Sequence, residues 1–198
     1  TGGKENDKIL EIGCGWGGFS SFLAKKYSAN VTAITISKKQ YQKAKQKIFE
    51  EKLTDKVNVK LLDYRNINDT YDKIFSIEMF EAVGEKYWSK YFDVLKNNLK
   101  PDGSIGLQTI TIEDKFFQKY KKFPDFIQTY ISPGGMLPSV EEMNKVITSR
   151  GLHIKNKKMF GNDYAKTIRI WSESFENSWD CIKSLGFSES FKRLWNYY

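Results

Sequence analysis

Histidine occurs once in the 198 residues, as His153, and cysteine twice, as Cys14 and Cys181. Two cysteines make neither a disulfide scaffold nor a Cys/His metal site. A multi-histidine metal centre or a histidine-dependent triad could be built only around His153. Acid–base work must therefore rest on carboxylates, tyrosines or something bound, and no metal is expected. Long apolar runs are missing too. None approaches the ~18–20 residues of a membrane span, so a spanning chain is not expected. The sequence shows neither a signal-peptide pattern nor a lipidation box. It opens on Thr1 rather than Met, so that end reads as a processed or cloned boundary, with which any leader would have been lost.

What is present describes a soluble globular chain: 40% hydrophobic and 28% charged residues. Its length suits one compact domain with a small lid. The 32 Lys and Arg outnumber the 24 Asp and Glu, a net charge of +8. The excess is uneven: residues 1–114 carry +2 and residues 115–198 carry +6. A basic half is either a solvated surface or a face turned to something anionic.

Patterning predicts alternating strands and helices. Residues 8–13 form a short apolar run that breaks into a glycine-rich turn, the mark of a buried strand. Residues 18–27 have helical spacing, with Phe19, Phe22, Leu23 and Tyr27. Further strands are expected at 31–36, 57–62, 73–77 and 104–112, the last after the turn signal Pro101-Asp102-Gly103. Helices are expected from the cap Ser37 to about residue 52, over 79–99, and from the capping box of Ser139 and Glu142 to Gly151. Residues 114–137 read as aromatic and irregular, 152–160 as a sixth strand with His153 on its surface, and 165 onward as a long aromatic helix. This alternation implies an α/β fold with a parallel sheet, incomplete at its carboxyl edge for want of a further strand.

Glu11-Ile12-Gly13-Cys14-Gly15-Trp16-Gly17-Gly18 lies between the first strand and the first helix, where open α/β folds bind ligands. A dinucleotide fold would place an acid at the end of the second strand, but Thr35-Ile36-Ser37 stands there with Gln40 beyond. A Walker lysine is also lacking. Glu11 and the Gly13/Gly15 pair resemble instead the first motif of S-adenosylmethionine methyltransferases, a likeness that implies close approach of a nucleoside-type cofactor to the glycines, with Asp63 and Tyr64 after the third strand beside its adenine. Gly13→Val is expected to fill the space that ligand occupies. Cys14 reads as a small space filler.

Seven segments extend the pattern: EIGCGWGGF at 11–19, TISKKQ at 35–40, Asp63-Tyr64-Arg65, MFEAVG at 79–84, QTITI at 108–112, YISPGGMLPS at 130–139 and YAKTIRIW at 164–171. In this order they resemble the cyclopropane-fatty-acyl-phospholipid synthases and mycolic acid cyclopropane synthases, over nearly the whole chain. The resemblance implies a Rossmann-like class I methyltransferase sheet with helices on both faces and a small aromatic lid insertion. Residues 1–113 would be the S-adenosylmethionine-binding core, 114–138 the lid and acyl-binding insertion, and 139–198 the C-terminal part. The implied reaction is methylene transfer to a cis double bond of a phospholipid acyl chain. The alkene attacks the sulfonium methyl, a bound bicarbonate removes a proton from the resulting cation, and the ring closes.

Carried over residue by residue, Glu81 would hold the bicarbonate, with the Ile110 backbone and the Tyr164 hydroxyl. Gln108 stands where the family often has histidine, and an amide can still bond the anion but cannot be its cationic partner. Glu11, Gly13, Gly15, Thr35, Ser37, Gln40, Asp63 and Tyr64 would form the cofactor site. The family's amino-terminal segment and last strand are not found in these residues, so the chain reads as a fragment. On residue chemistry alone, Glu81 is also a carboxylate favoured at a helix start, and Glu78 a supporting partner or cofactor contact. Phe116, Phe117, Tyr120, Phe123, Phe126 and Tyr130 read as a lid core or an acyl tunnel.

The expected partner is a phospholipid with an unsaturated chain at a membrane surface. Lys119, Lys121 and Lys122 beside the aromatics would make the contact, at the inner face of the membrane in a cytoplasmic location. A homodimer is compatible with the sequence, which does not fix the oligomeric state. Two other readings stay open: a plain C- or N-methyltransferase of the same superfamily, and a non-catalytic cofactor-binding fragment. Nucleic-acid binding would rest on charge alone, since no Asn/Asp-Pro-Pro-Tyr box is present.

Overall fold

The structure is a computed structural model that describes residues 5–198. Five strands, β1 (Lys8–Ile12), β2 (Asn30–Thr35), β3 (Val57–Leu61), β4 (Tyr71–Ile77) and β5 (Leu99–Gln108), form one sheet in the order β3-β2-β1-β4-β5. Every pairing is parallel, with Ile9 of β1 opposite Val31 on one side and Lys73 on the other.

Alternation along the strands sends apolar side chains to both faces. Ile9, Val31, Ala33, Val57 and Val59 meet Leu23 and Ala24 of α1 (Gly18–Tyr27) and Ala44 and Ile48 of α2 (Lys38–Glu50). Leu10, Ile12, Ile34 and Ile74 meet Tyr91, Phe92 and Leu95 of α3 (Trp88–Asn97). Phe117 of α4 (Asp114–Lys122) and Ile147 of α5 (Val140–Ser149) complete that second face. Ser37 and Ser139 cap α2 and α5, their hydroxyls accepting from Gln40 N and Glu142 N. Three more helices follow, α6 (Gly161–Asn177), α7 (Trp179–Ser184) and α8 (Glu189–Tyr197).

The fold is the expected α/β class, with six differences. Pro101-Asp102-Gly103 lies inside β5 rather than before it. Leu99 pairs with Tyr71 and Ser104 with Lys73, so these residues bulge from an edge strand, where a proline without an N–H is tolerated. β5 ends at Gln108, and Ile112 makes only an isolated bridge to Ser139. The helix expected over 79–99 starts only at Trp88, because Gly84 at φ 75° interrupts two short 3-10 turns before it. Residues 152–160 form no strand: among the described residues none pairs with them, and Lys155, Lys157 and Lys158 leave the segment exposed, His153 included. The carboxyl-terminal helix is three helices, broken at Ser178 and near Gly186, which stands at φ 96°. The lid region is more regular than expected, holding α4 and a π-helical turn at Ile127–Ile131.

Candidate active site

All five strands end at one edge of the sheet, and the chain's strand order reverses between β1 and β4. Such a switch point opens a crevice beyond the carboxyl ends. Five of the seven segments singled out in the sequence follow those strand ends in turn.

At β1, Gly13 N and Cys14 N both donate to Ile34 O, at 3.0 and 2.9 Å, tying the glycine turn to the end of β2. Gly13, Gly15 and Gly17 all have left-handed φ, at 80°, 52° and 82°. Their surroundings differ. A Cβ on Gly13 would stand 2.7 Å from Met79 Cγ, and one on Gly17 would stand 3.1 Å from Ala44 Cβ. A Cβ on Gly15 would meet nothing within 4 Å. The open space is therefore at Gly15. Gly13 packs against the chain itself, so the expectation that a side chain there fills ligand space is corrected.

Glu11 points to the α1 face, buried, and accepts a hydrogen bond from the Ser20 hydroxyl. Burial pushes its carboxyl from the ordinary 4.5 up to about 7, against the lowering effect of Ser20. Below about pH 4.5 this group is protonated whether folded or not. Between there and about pH 7 unfolding releases its proton, so stability falls as pH rises. Above that range the full penalty, about 3 kcal/mol, is present. Glu11→Gln is therefore expected to melt increasingly above wild type as pH goes from about 5 to about 8, and parallel melting curves across that range would contradict it. Burial, then the charge of Glu11, pushes the Cys14 thiol up to about 12, so it is an inert filler of the turn.

At β2, Thr35, Ser37 and Gln40 bond one another: Thr35 Oγ1 donates to Gln40 Oε1 at 2.7 Å and accepts from Ser37 N at 3.1 Å. Between them Ile36 stands 76% exposed, and Trp16 in the glycine turn is exposed as well. Neither apolar residue was singled out by sequence, although both lie in quoted segments. An apolar side chain held out at a strand end by its bonded neighbours suits a flat ligand ring. At β3, Asp63 is gripped by Arg65, whose Nε and Nη2 donate at 2.9 and 2.6 Å. That contact holds the Asp63 carboxyl below its usual range. Tyr64 rests edge-on against Tyr91, ring centroids 5.4 Å apart.

At β4 and β5 the polar groups gather. Glu78 has φ 50°, unusual for a residue with a side chain. Its N–H donates to Gln108 O at 2.9 Å, and its Oε1 accepts from Gln108 Nε2 at 2.8 Å. Glu81 Oε1 accepts from Ile110 N at 2.7 Å, while Glu81 Oε2 is buried without a hydrogen-bond partner. The Ile110 backbone thus orients the carboxylate rather than standing open to an anion. Met136 N donates to Glu81 O at 2.8 Å, anchoring the loop before α5 to the site. A cavity of about 460 Å³ lies here, lined by Ile77, Glu78, Gln108, Phe160, Tyr164 and Trp171 among others. Burial, then the charges of Glu78, Tyr198 and Glu81, pushes the Tyr164 phenol up to about 12, so it keeps its proton. Gln108 and Tyr164 share the cavity with Glu78, which the sequence reading ranked below Glu81. Phe160 and Trp171 were not anticipated as lining residues, because 160 was assigned to a strand.

The aromatic residues of 114–138 divide between core and surface. Phe117 and Tyr120 are buried, Phe117 stacking on Trp88 and Tyr120 OH accepting from Leu137 N. Phe116, Phe123 and Tyr130 are exposed.

The family model for mycolic acid cyclopropane synthetase matches residues 2–198. The chain belongs to this family. The tuberculostearic acid methyltransferase of Mycobacterium tuberculosis is 34% identical over 199 residues, 100% of this chain and 46% of that protein. The cyclopropane-fatty-acyl-phospholipid synthase of Escherichia coli K12 is 37% identical over 195 residues, 98% of this chain and 48% of that protein. A crystal structure of mycolic acid cyclopropane synthase complexed with SAH and CTAB superposes with a TM-score of 0.89 at 27% identity, covering 99% of this chain and 72% of that one. The cyclopropane synthase family thus accounts for the class I methyltransferase fold. This chain spans about half the length of the curated relatives it matches.

Proposed function

We propose that this protein transfers a methylene group from S-adenosylmethionine to the cis double bond of a phospholipid acyl chain, closing a cyclopropane ring. The observation that carries the reading is the cavity beyond β4 and β5, lined by Gln108 and Tyr164, together with the buried, unpartnered carboxylate oxygen of Glu81, in a chain of this family. When bound, S-adenosylmethionine supplies a methyl group on a cationic sulfur, and bicarbonate a base that needs no histidine.

The chain's residues divide that work by position. Gly13 and Gly15, with Thr35, Ser37, Gln40, Asp63 and Tyr64, line the cofactor's side of the crevice, and Glu11 braces the turn from behind. Bicarbonate fits the groups present because it carries its own O–H. Glu81 Oε2 is a buried acceptor awaiting a donor, and Tyr164 retains a proton to donate. Phe160 and Trp171 give the cavity an aromatic wall. Residues 114–138 would then cover the acyl chain, with 1–113 holding the cofactor and 139–198 supplying Tyr164.

Release of S-adenosylhomocysteine in the presence of phospholipid vesicles tests the substrate class. Vesicles with cis-unsaturated chains are expected to support release, and fully saturated ones are not. Equal release with both would favour the second reading, a plain methyltransferase acting elsewhere on the lipid or on an amine.

An acyl chain in a bilayer has to be reached from its surface. Among the described residues no helix is long and apolar enough to cross a membrane. Lys121 is paired with Glu85 at 2.5 Å and Phe117 and Tyr120 face the core, so α4 offers less to lipid than its sequence suggests. The exposed segment 154–160 offers more: Lys155, Lys157 and Lys158 interleave with Ile154, Met159 and Phe160. Phe160 also lines the cavity. Each lysine near an anionic surface contributes about 1 kcal/mol, so replacing all three by Gln is expected to weaken binding to anionic vesicles by about 100-fold at low salt. Co-sedimentation at low and high salt measures this. Equal binding to anionic and neutral vesicles, or none, would leave the basic excess as a solubility feature.

A further inference from the structure

Around the cavity, charge runs against the character of the chain. The protein carries +8 overall. Yet among the described residues the lining includes two carboxylates, Glu78 and Asp163, three aromatic side chains, Phe160, Tyr164 and Trp171, and no Lys, Arg or His. The two acids are not equivalent. Both are exposed, but Asp163 sits in the first turn of α6 with Lys166 3.9 Å away. Glu78 is fixed at the end of β4, bonded through its N–H to Gln108 O and through its carboxylate to Gln108 Nε2. A neutral amide orients that carboxylate without neutralising it, where a lysine, an arginine or a protonated histidine would cancel its charge. Glu78 also holds a left-handed backbone, φ 50°, that disfavours residues other than glycine. Strain retained at a cavity wall calls for a function of the side chain that causes it. Carboxylate and ring faces together are the surroundings that favour a positive charge.

We infer that Glu78, oriented by Gln108, is the group that recognises positive charge at the reacting sulfur, so that the site distinguishes the sulfonium of S-adenosylmethionine from the neutral thioether of S-adenosylhomocysteine. The inference rests on reading this crevice as the S-adenosylmethionine site. It assigns Glu78 a part separate from that of Glu81, whose second oxygen is a buried acceptor without a partner.

Calorimetric titration of the two ligands into wild type, Glu78→Gln and Glu78→Gly tests it without turnover. Glu78→Gln keeps the shape and a partner for Gln108 but removes the charge. It is expected to weaken S-adenosylmethionine about tenfold and S-adenosylhomocysteine less than about twofold. Glu78→Gly removes carboxylate and backbone strain together. It is expected to lose the same preference with a thermal midpoint no lower than wild type, which separates lost recognition from lost folding. Equal weakening of both ligands, or an unchanged preference with a lowered midpoint, makes Glu78 a structural residue and overturns the inference. If wild type binds neither ligand, the cofactor reading itself fails, and the inference with it.

Discussion

Glu81→Gln is expected to reduce turnover about 100- to 1,000-fold while changing S-adenosylmethionine affinity by less than about twofold. The substitution is nearly isosteric, and its amide oxygen can still accept from Ile110 N, as Glu81 Oε1 does at 2.7 Å. What changes is the other position. Glu81 Oε2 is a buried acceptor without a partner, and an amide nitrogen there is a donor. A bound group that presents its own O–H to this oxygen would then face a second donor. The loss should fall on kcat, with the cofactor's dissociation constant unchanged, because the cofactor's glycine turn lies at a different strand end. A rise in that constant matching the fall in kcat would place Glu81 in cofactor binding instead.

Gly13→Val is expected to destabilise the protein by about 3 kcal/mol or more and to abolish cofactor binding. A β-branched residue at φ 80° is strained in itself, and its Cβ would stand 2.7 Å from Met79 Cγ and 3.0 Å from Met79 Cβ. Met79 begins the loop that carries Glu81, so the shift reaches both halves of the crevice. Gly15→Ala makes the informative contrast. Its Cβ enters open space, so the stability penalty should be about 1 kcal/mol, from the left-handed backbone alone. Its cofactor affinity should nevertheless fall sharply if that space belongs to the ligand. Denaturant unfolding and calorimetry on the two variants separate these effects. Unchanged affinity in Gly15→Ala would move the cofactor away from this turn.

These contrasts show where the sequence was readable. β1 to β3, α1 and α2 could be located because buried parallel strands, helical spacing and the Ser37 cap all agree locally. α1 occupies the residues its spacing marks, 18–27. The misreadings occur where tertiary context decides. Pro101-Asp102-Gly103 has the composition of a turn, but an edge strand absorbs it as a bulge. Residues 152–160 are apolar enough for a strand, but no neighbour among the described residues pairs with them. The glycine turn was legible as a turn at the carboxyl edge of the sheet, but not which of its glycines faces open space, because that depends on Met79 and Ala44 from distant segments. Glu81, Gln108 and Tyr164 are proposed through motif resemblance. The backbone strain at Glu78 and its bond to Gln108 are visible only once β4 and β5 stand side by side.

The central claim is that the groups around this cavity close a ring using a methyl carbon from S-adenosylmethionine. The most direct measurement supplies cofactor with a fully deuterated methyl group, incubates the protein with cis-unsaturated phospholipid vesicles, and reads the acyl chains by mass spectrometry. Ring closure takes one hydrogen from the transferred methyl, so the account predicts chains that retain two of the three deuterium atoms. Chains that retain all three would show simple methyl transfer without ring closure and contradict it.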